Sequence, residues 1–333
     1  MAKESRKEFI LAQNFLKRAN LVRALIEAST IGPADLVYEI GAGRGIITAE
    51  LARIARKVIA LEIDPVLVRF LRGRFQDVSN VEIFECDFLR YRIAAAEYKI
   101  FANIPYNRTA EIVRKILETV PAPQKACLVM QKEAAEKFSG RPKETRFSIM
   151  AKPWFTMKIT RDLHRRDFDP LSGVDSVLLC IRKRSPPLLP KKDGARYRRF
   201  VSFGFGGWKR SLKTTFRRIF SHRRWKRLSA GLCFPLHATP TELTFPQWFG
   251  LFEDFSRRAP DQKQTAFRKR GESFLGAEVD FQRPAGGEFL KGACEFRQRQ
   301  GVADQRRDLH DAIGQPRDRR LKGEAQGETP DDG

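Results

Sequence analysis

The chain has 333 residues, with 63 Lys+Arg against 40 Asp+Glu and a formal net charge of +23. Apolar residues at 42% exclude a wholly disordered chain, and 23 Gly with 18 Pro exclude a collagen-like repeat. No stretch reaches the roughly 18 consecutive apolar residues that a membrane span needs, so no membrane partner is expected.

Residues 1–8 lead into no apolar signal-type segment. Five cysteines (Cys86, Cys127, Cys180, Cys233, Cys294) and four histidines (His164, His222, His237, His310) lie scattered, with no metal-ligand spacing. The expectation is a soluble, cytoplasmic protein with reduced thiols and no metal.

Leu21, Val22, Leu25 and Ile26 mark one face of a first helix, which Gly32-Pro33 is expected to end. A strand at 36–40 runs into the turn Gly41-Ala42-Gly43-Arg44-Gly45. Helix 46–56, strand 57–61, helix 65–75 and strand 81–84 follow. A fourth strand at 98–102 precedes a helix striped by Ile112, Val113, Ile116, Leu117 and Val120, and further strands are read at 125–130 and 176–181. Strands alternating with helices predict an α/β fold, a mainly parallel sheet covered by helices on both faces. From about 195 to 256 the pattern is helical, at 197–227 and 245–255. The chain divides into an α/β domain (1–184), a small helical domain (185–258) and a tail (259–333).

Charge follows this division. Residues 261–333 hold 14 Lys+Arg and 14 Asp+Glu, so the excess lies upstream, and residues 182–227 hold 17 Lys+Arg against a single acid, Asp193. So dense a run of one sign repels itself unless a polyanion neutralises it. Tyr197, Phe200, Phe203, Phe205, Trp208, Phe216, Phe220 and Trp225 interleave the basic residues and read as core packing rather than base stacking. The partner inferred is nucleic acid, bound mainly through phosphates. The tail is rich in Gly, Gln and Arg, has no sustained apolar period, and is read as disordered or dispensable.

Three features carry chemistry. Glycines at 41, 43 and 45 permit a tight strand–helix turn and close approach of a ligand. Glu62 ends the next strand about twenty residues on, where an acid can bind a ribose diol. Ile46 stands where a dinucleotide fingerprint has Gly or Ala, so the loop suits a nucleoside cofactor without a pyrophosphate. Asp87 follows the third strand and can accept from an adenine amine, or serve only as a turn aspartate. Asn103-Ile104-Pro105-Tyr106 follows the fourth strand. There the Asn103 side-chain oxygen and the Ile104 carbonyl can accept from one exocyclic amine, with Pro105 stiffening the loop and Tyr106 stacking on the base. Two acceptors on a planar amine aim its lone pair at a methyl sulfonium without a metal.

These motifs resemble those of the rRNA adenine N6-methyltransferases. Gln13-Asn14-Phe15-Leu16, Glu39-Ile40-Gly41-Ala42-Gly43-Arg44-Gly45, Glu62-Ile63-Asp64, Asp87-Phe88, Asn103-Ile104-Pro105-Tyr106-Asn107, Gln131-Lys132-Glu133 and Phe168-Asp169-Pro170 leading to Val174-Asp175-Ser176 occur in the family's order. The resemblance covers about residues 8–256. Asn-Ile-Pro-Tyr and Gly-Ala-Gly look more like the Erm branch, which modifies 23S rRNA, than the small-subunit dimethylases. Ser172 replaces the family's second proline after Phe168.

The resemblance implies a Rossmann-like methyltransferase sheet with a small C-terminal helical domain, and S-adenosylmethionine as methyl donor, leaving S-adenosylhomocysteine as product. Asn14 and Leu16, beside Gln13, would close over the donor. Gly41, Ala42 and Gly43 would meet its methionine end, Glu62 with Ile63 its ribose, and Asp87 with Phe88 its adenine. Asn103 would face donor and target, and Tyr106 and Phe168 would hold the target adenine, flipped from its stack. A monomer acting on 23S rRNA is expected, adding one or two methyl groups and conferring macrolide, lincosamide and streptogramin B resistance. The alternative is a 16S rRNA dimethyltransferase of ribosome assembly. A non-catalytic nucleic-acid-binding relative and a nicotinamide oxidoreductase are further classes, the first disfavoured by the intact Asn103–Tyr106 loop and the second by Ile46 and the basic block.

Overall fold

The computed structural model describes residues 14–207 and 210–258. Seven strands form one sheet in the order β4-β3-β2-β5-β6-β9-β7. These are β2 (Leu36–Ile40), β3 (Lys57–Glu62), β4 (Val81–Glu85), β5 (Lys99–Asn103), β6 (Lys125–Gln131), β7 (Phe155–Leu163) and β9 (Ser176–Lys183). The first five in that order are mutually parallel, whereas β9 runs antiparallel to β6 and β7 antiparallel to β9. Helix α1 (Ala19–Ser29) precedes β2, and α2 (Ile46–Ala52), α3 (Pro65–Arg74) and α4 (Thr109–Glu118) supply connections of the parallel half.

Side-chain alternation divides the core into two layers. Tyr38, Ile100, Ala102 and Leu128 join Ile112, Val113 and Ile116 of α4 on one face. Val37, Val58, Phe101 and Val129 join Val22, Leu25 and Ile26 of α1 on the other. The near-continuous apolar strands follow from burial on both faces.

Several boundaries differ from the expected ones. The first helix ends at Ser29, where Thr30 takes a left-handed conformation (φ 60°), two residues before Gly32-Pro33. Helix α2 stops at Ala52 rather than 56, and the Asn80 amide donates to the carbonyls of Ala52 and Ala55, the first of which a helix reaching 56 would have bonded itself. Strand β7 and two helices, α5 (Lys132–Ser139) and α6 (Arg146–Ala151), fill a region in which no element is predicted. Strand β7 is an edge, and exposed Lys158, Arg161 and Asp162 blunt it against further pairing.

The C-terminal region contains α7 (Gly194–Phe205), α8 (Leu212–Thr215), α9 (His222–Gly231) and α10 (Phe245–Arg258). The helical stretch expected at 197–227 is broken where the Ser211 and Ser221 hydroxyls cap α8 and α9. Tyr197, Phe200, Phe216, Phe220, Trp225, Trp248 and Phe252 form an aromatic core. Gly204 is required within it, since a Cβ there would lie 2.3 Å from the Trp248 ring. Ile149 of α6 joins this core, and the Tyr197 hydroxyl donates to its carbonyl at 3.0 Å, so the cluster reaches back across the 184/185 division. The expected tail at 259–333 lies outside the described residues. Among the described residues, no helix is long and apolar enough to cross a membrane.

Candidate active site

Chain order takes β2, β3 and β4 to one side of the sheet and β5 and β6 to the other. A crevice opens between β2 and β5 at their carboxyl ends, where open α/β sheets bind ligands. The cleft found there is lined from β2 and its turn by Ile40, Gly41 and Gly43, and from the end of β3 by Leu61, Glu62 and Ile63. Cys86, Asp87, Phe88 and Leu89 contribute beyond β4, and Asn103, Ile104, Pro105, Tyr106 and Arg108 beyond β5. Asn14 and Phe15 cover it from the N-terminal side.

The glycine turn is shaped for close approach. Gly41, Gly43 and Gly45 all have positive φ (71°, 57° and 77°), which L side chains rarely adopt. A Cβ on Gly43 would lie 2.7 Å from the Phe15 ring, whereas one on Gly41 would meet nothing within 4 Å. Gly41 therefore leaves open space toward the cleft, and Gly43 lets Phe15 lie on the turn.

Glu62 is 3% exposed. Its Oε2 accepts from the Gly43 amide at 2.8 Å, and its Oε1 accepts from Ile63 and Asp64 at 2.8 and 3.0 Å. Burial raises its pKa, against these three amides, which favour the charged form. With one donor on Oε2, an acceptor site remains there for a hydroxyl. Behind it, Glu39 is fully buried and accepts from the Thr48 hydroxyl at 2.6 Å, while its Oε1 has no partner; burial pushes its pKa up to about 8.

Asp87 makes a turn contact at the edge of the cleft. Its Oδ1 accepts from the Leu89 amide at 2.9 Å, a turn function, while the residue lines the cleft. Its Oδ2 lies 3.5 Å from Nη1 of Arg108, which also pairs with Glu111 at 2.9 Å. Lys115 donates to the carbonyls of Phe88 and Tyr91 from behind this loop, and burial lowers its pKa. Arg108 and Lys115 were not singled out in the sequence. Arg108, the residue before α4, and Glu111 and Lys115 within it follow a helical spacing that in sequence reads as an ordinary solvated face.

The loop after β5 is held at several points. Asn103 Nδ2 donates to the Asn14 carbonyl at 2.6 Å, and the Ile104 amide to Val129 at 3.1 Å. The Pro105 carbonyl accepts from the Arg108 amide at 3.1 Å, and the Tyr106 hydroxyl shares a hydrogen bond of 2.7 Å with Ser176. The Asn103 Oδ1 and the Ile104 carbonyl accept no hydrogen bond among the described residues. Both residues line the cleft beside Tyr106, with these two oxygens unbonded among the described residues.

Other expected site residues sit elsewhere. Gln13 lies outside the described residues. Leu16 and Ala42 turn their side chains into the core, 4% and 5% exposed, and do not line the cleft. Phe168, expected to hold the target base, is 0% exposed and packed with Leu16 and Leu163. The reason is the short ribbon in which β1 (Phe15–Leu16) pairs antiparallel with β8 (Phe168–Asp169). Opposed residues share a face, so Leu16 and Phe168 go inward together, while Phe15 lies over the glycine turn. Arg44 ties that turn to the ribbon, above the Phe15 ring and 3.5 Å from Asp169. At the departing position, the Ser172 hydroxyl donates to the Val174 carbonyl at 2.8 Å and closes the turn that a proline would stiffen. No group of three or more metal-ligating side chains occurs among the described residues.

Residues 4–234 match the family model described as ribosomal RNA adenine dimethylase. The chain belongs to this family. It is therefore an enzyme of the rRNA adenine N6-methyltransferase group, with a Rossmann-like sheet. It is 32% identical over 260 residues to an rRNA methyltransferase of Streptomyces thermotolerans, covering 76% of this chain and 85% of that one. It is 33% identical over 214 residues to the ribosomal RNA small subunit methyltransferase A of Thermotoga petrophila, covering 63% and 80%. The solved structure of the 23S rRNA methyltransferase ErmE is similar with a TM-score of 0.69 at 31% identity, covering 73% of this chain and all of that one.

Proposed function

We propose that this enzyme methylates N6 of an adenine in 23S rRNA, using S-adenosylmethionine, and so confers macrolide, lincosamide and streptogramin B resistance. The observation that carries the chemistry is the pair of free acceptors, Asn103 Oδ1 and the Ile104 carbonyl, beside the Tyr106 ring. Bound in the cleft, the donor supplies a methyl group made electrophilic by its sulfonium. The residues present fit such a molecule: open space at Gly41, an acceptor site on Glu62, and Asp87 and Phe88 at the far end. Asn103 and Ile104 take one N–H each of the target amine and hold its lone pair toward the donor side. Tyr106 stacks on the extruded base, and Pro105 limits the loop's freedom to relax.

The 23S assignment is supported by the Asn-Ile-Pro-Tyr loop, by the Gly-Ala-Gly turn and by the likeness to ErmE over 73% of this chain. The identity to the Thermotoga petrophila protein favours a second reading, dimethylation of small-subunit rRNA. Methyl transfer from labelled S-adenosylmethionine to protein-free 23S rRNA, with 30S particles in parallel, separates them. Label in 23S rRNA is the expected result, and label confined to 30S particles would transfer the enzyme to the small-subunit branch.

The rRNA is held in this reading by the basic block, with the aromatics inside. Tyr197, Phe200, Phe216, Phe220 and Trp225 are buried, while Arg198, Arg199, Arg217, Arg218, Arg223, Lys226 and Arg227 are exposed. Arg224 is set apart by its ion pair with Asp254 at 2.6 Å. A monomer working in the cytoplasm completes the proposal.

A further inference from the structure

Two of the motifs quoted above, Gln131-Lys132-Glu133 and Val174-Asp175-Ser176, have no part in the chemistry so far. The fold brings them together. Gln131, the last residue of β6, is paired with Ser176, the first of β9, and Ser176 is in turn paired with Leu163, the last of β7. The Lys132 amide donates to the Asp175 carbonyl at 2.9 Å, and Arg165 donates to the Asp175 carboxylate at 3.0 Å. Three strand ends and two side bonds thus fix the Ser176 Cβ.

Ser176 is 1% exposed and heads a strand that is otherwise apolar from Val177 to Ile181. Pleated pairing alone favours a β-branched residue there, and a buried hydroxyl needs a partner. Its partner is the Tyr106 phenol, 2.7 Å away across 70 residues of sequence. Tyr106 itself opens a short 3-10 turn and lines the cleft. A ring anchored only at Cβ turns about two bonds, whereas one also held at its far oxygen presents a single plane.

We infer that Ser176 is a positioning residue for the methyl transfer: its hydroxyl locks the Tyr106 ring in the orientation that receives the target adenine. The inference rests on the stacking role proposed for Tyr106. It assigns a function to the Val174-Asp175-Ser176 motif, which places the hydroxyl, and to Gln131-Lys132, which anchors that motif.

The test is a double-mutant cycle on turnover with saturating 23S rRNA and donor, using Ser176→Ala, Tyr106→Phe and the pair. Each single change should lower kcat by about 3- to 10-fold, the worth of one net hydrogen bond, and the double variant should be no slower than either. Affinity for S-adenosylmethionine, measured by titration, should hold within about twofold, since a merely structural lesion would weaken it as well. Additive losses, or wild-type kcat in Ser176→Ala, would overturn the inference. If thermal melting shows Ser176→Ala to be unfolded, Tyr106→Phe decides alone, and wild-type kcat there overturns it. Tyr106→Ala separates the underlying reading: full turnover in that variant would remove the stacking role itself, whereas a large loss there beside an unchanged Tyr106→Phe would remove only the Ser176 link.

Discussion

Glu39 shows how a single buried acid writes itself into the behaviour of the whole domain. Its folded pKa of about 8 stands above the ordinary 4.5, so between those values the folded state holds a proton that the unfolded chain has released. Stability associated with this group is complete below about pH 4.5 and is lost as pH rises through about 8, at roughly 1.4 kcal/mol per pH unit. Glu39→Gln keeps an acceptor for Thr48 and removes the titration. Denaturant unfolding from pH 5 to 8 should show a shallower decline in the variant, and an identical decline would mean that other groups set the slope. The cleft-lining positions of Glu62 and Asp87 were legible in the sequence because each stands at or just past the carboxyl end of a parallel strand, where such sheets open their crevice. The inward turn of Phe168 was not legible, because it depends on a two-residue ribbon whose register arises only in three dimensions.

The glycine turn joins β2 to α2 and carries its own prediction. Gly43→Ala would strain a φ of 57° and drive a Cβ to 2.7 Å from Phe15. The ring must then leave the turn, and S-adenosylmethionine affinity should fall at least about tenfold with the fold retained, as titration and circular dichroism would report. Unchanged affinity would show that Phe15 and the turn do not hold the donor. The parallel half of the sheet was readable to within a residue or two, since strands buried on both faces stand out as apolar runs between glycine and proline punctuation. Strand β7 was not, because Phe-Thr-Met-Lys-Ile-Thr-Arg-Asp-Leu is half exposed at an edge and its charges resemble a solvated segment. Helices α5 and α6 are short, and no stripe in their sequence is long enough to declare a period.

At the scale of the molecule, the excess charge and the cleft belong to different parts of one chain. In the proposed function the basic block would supply sequence-independent attraction, and the Asn103–Tyr106 loop would select the reacting atom. Changing Arg217, Arg218, Arg223 and Arg227 to Gln should weaken 23S rRNA binding and flatten the log–log salt dependence by up to about 3, at roughly 0.7 for each single-strand phosphate no longer neutralised. Binding measured over a salt series checks this, and an unchanged slope would remove these residues from the interface. The aromatic interleaving was legible as core because its spacing is helical, whereas the breaks at Ser211 and Ser221 depend on caps that a periodic count passes over.

In the proposed function two acceptors of one loop, unbonded among the described residues, direct a methyl group to an exocyclic adenine amine of 23S rRNA. Nucleoside analysis of protein-free 23S rRNA after reaction with the wild-type enzyme and with Asn103→Ala tests it most directly. N6-methylated adenosine, mono- or dimethylated, is expected from the wild type, with a loss of at least about a hundredfold in its rate of formation with Asn103→Ala. A methyl group on a ribose or on a base carbon, or N6-methyladenosine formed at the wild-type rate by Asn103→Ala, would contradict it.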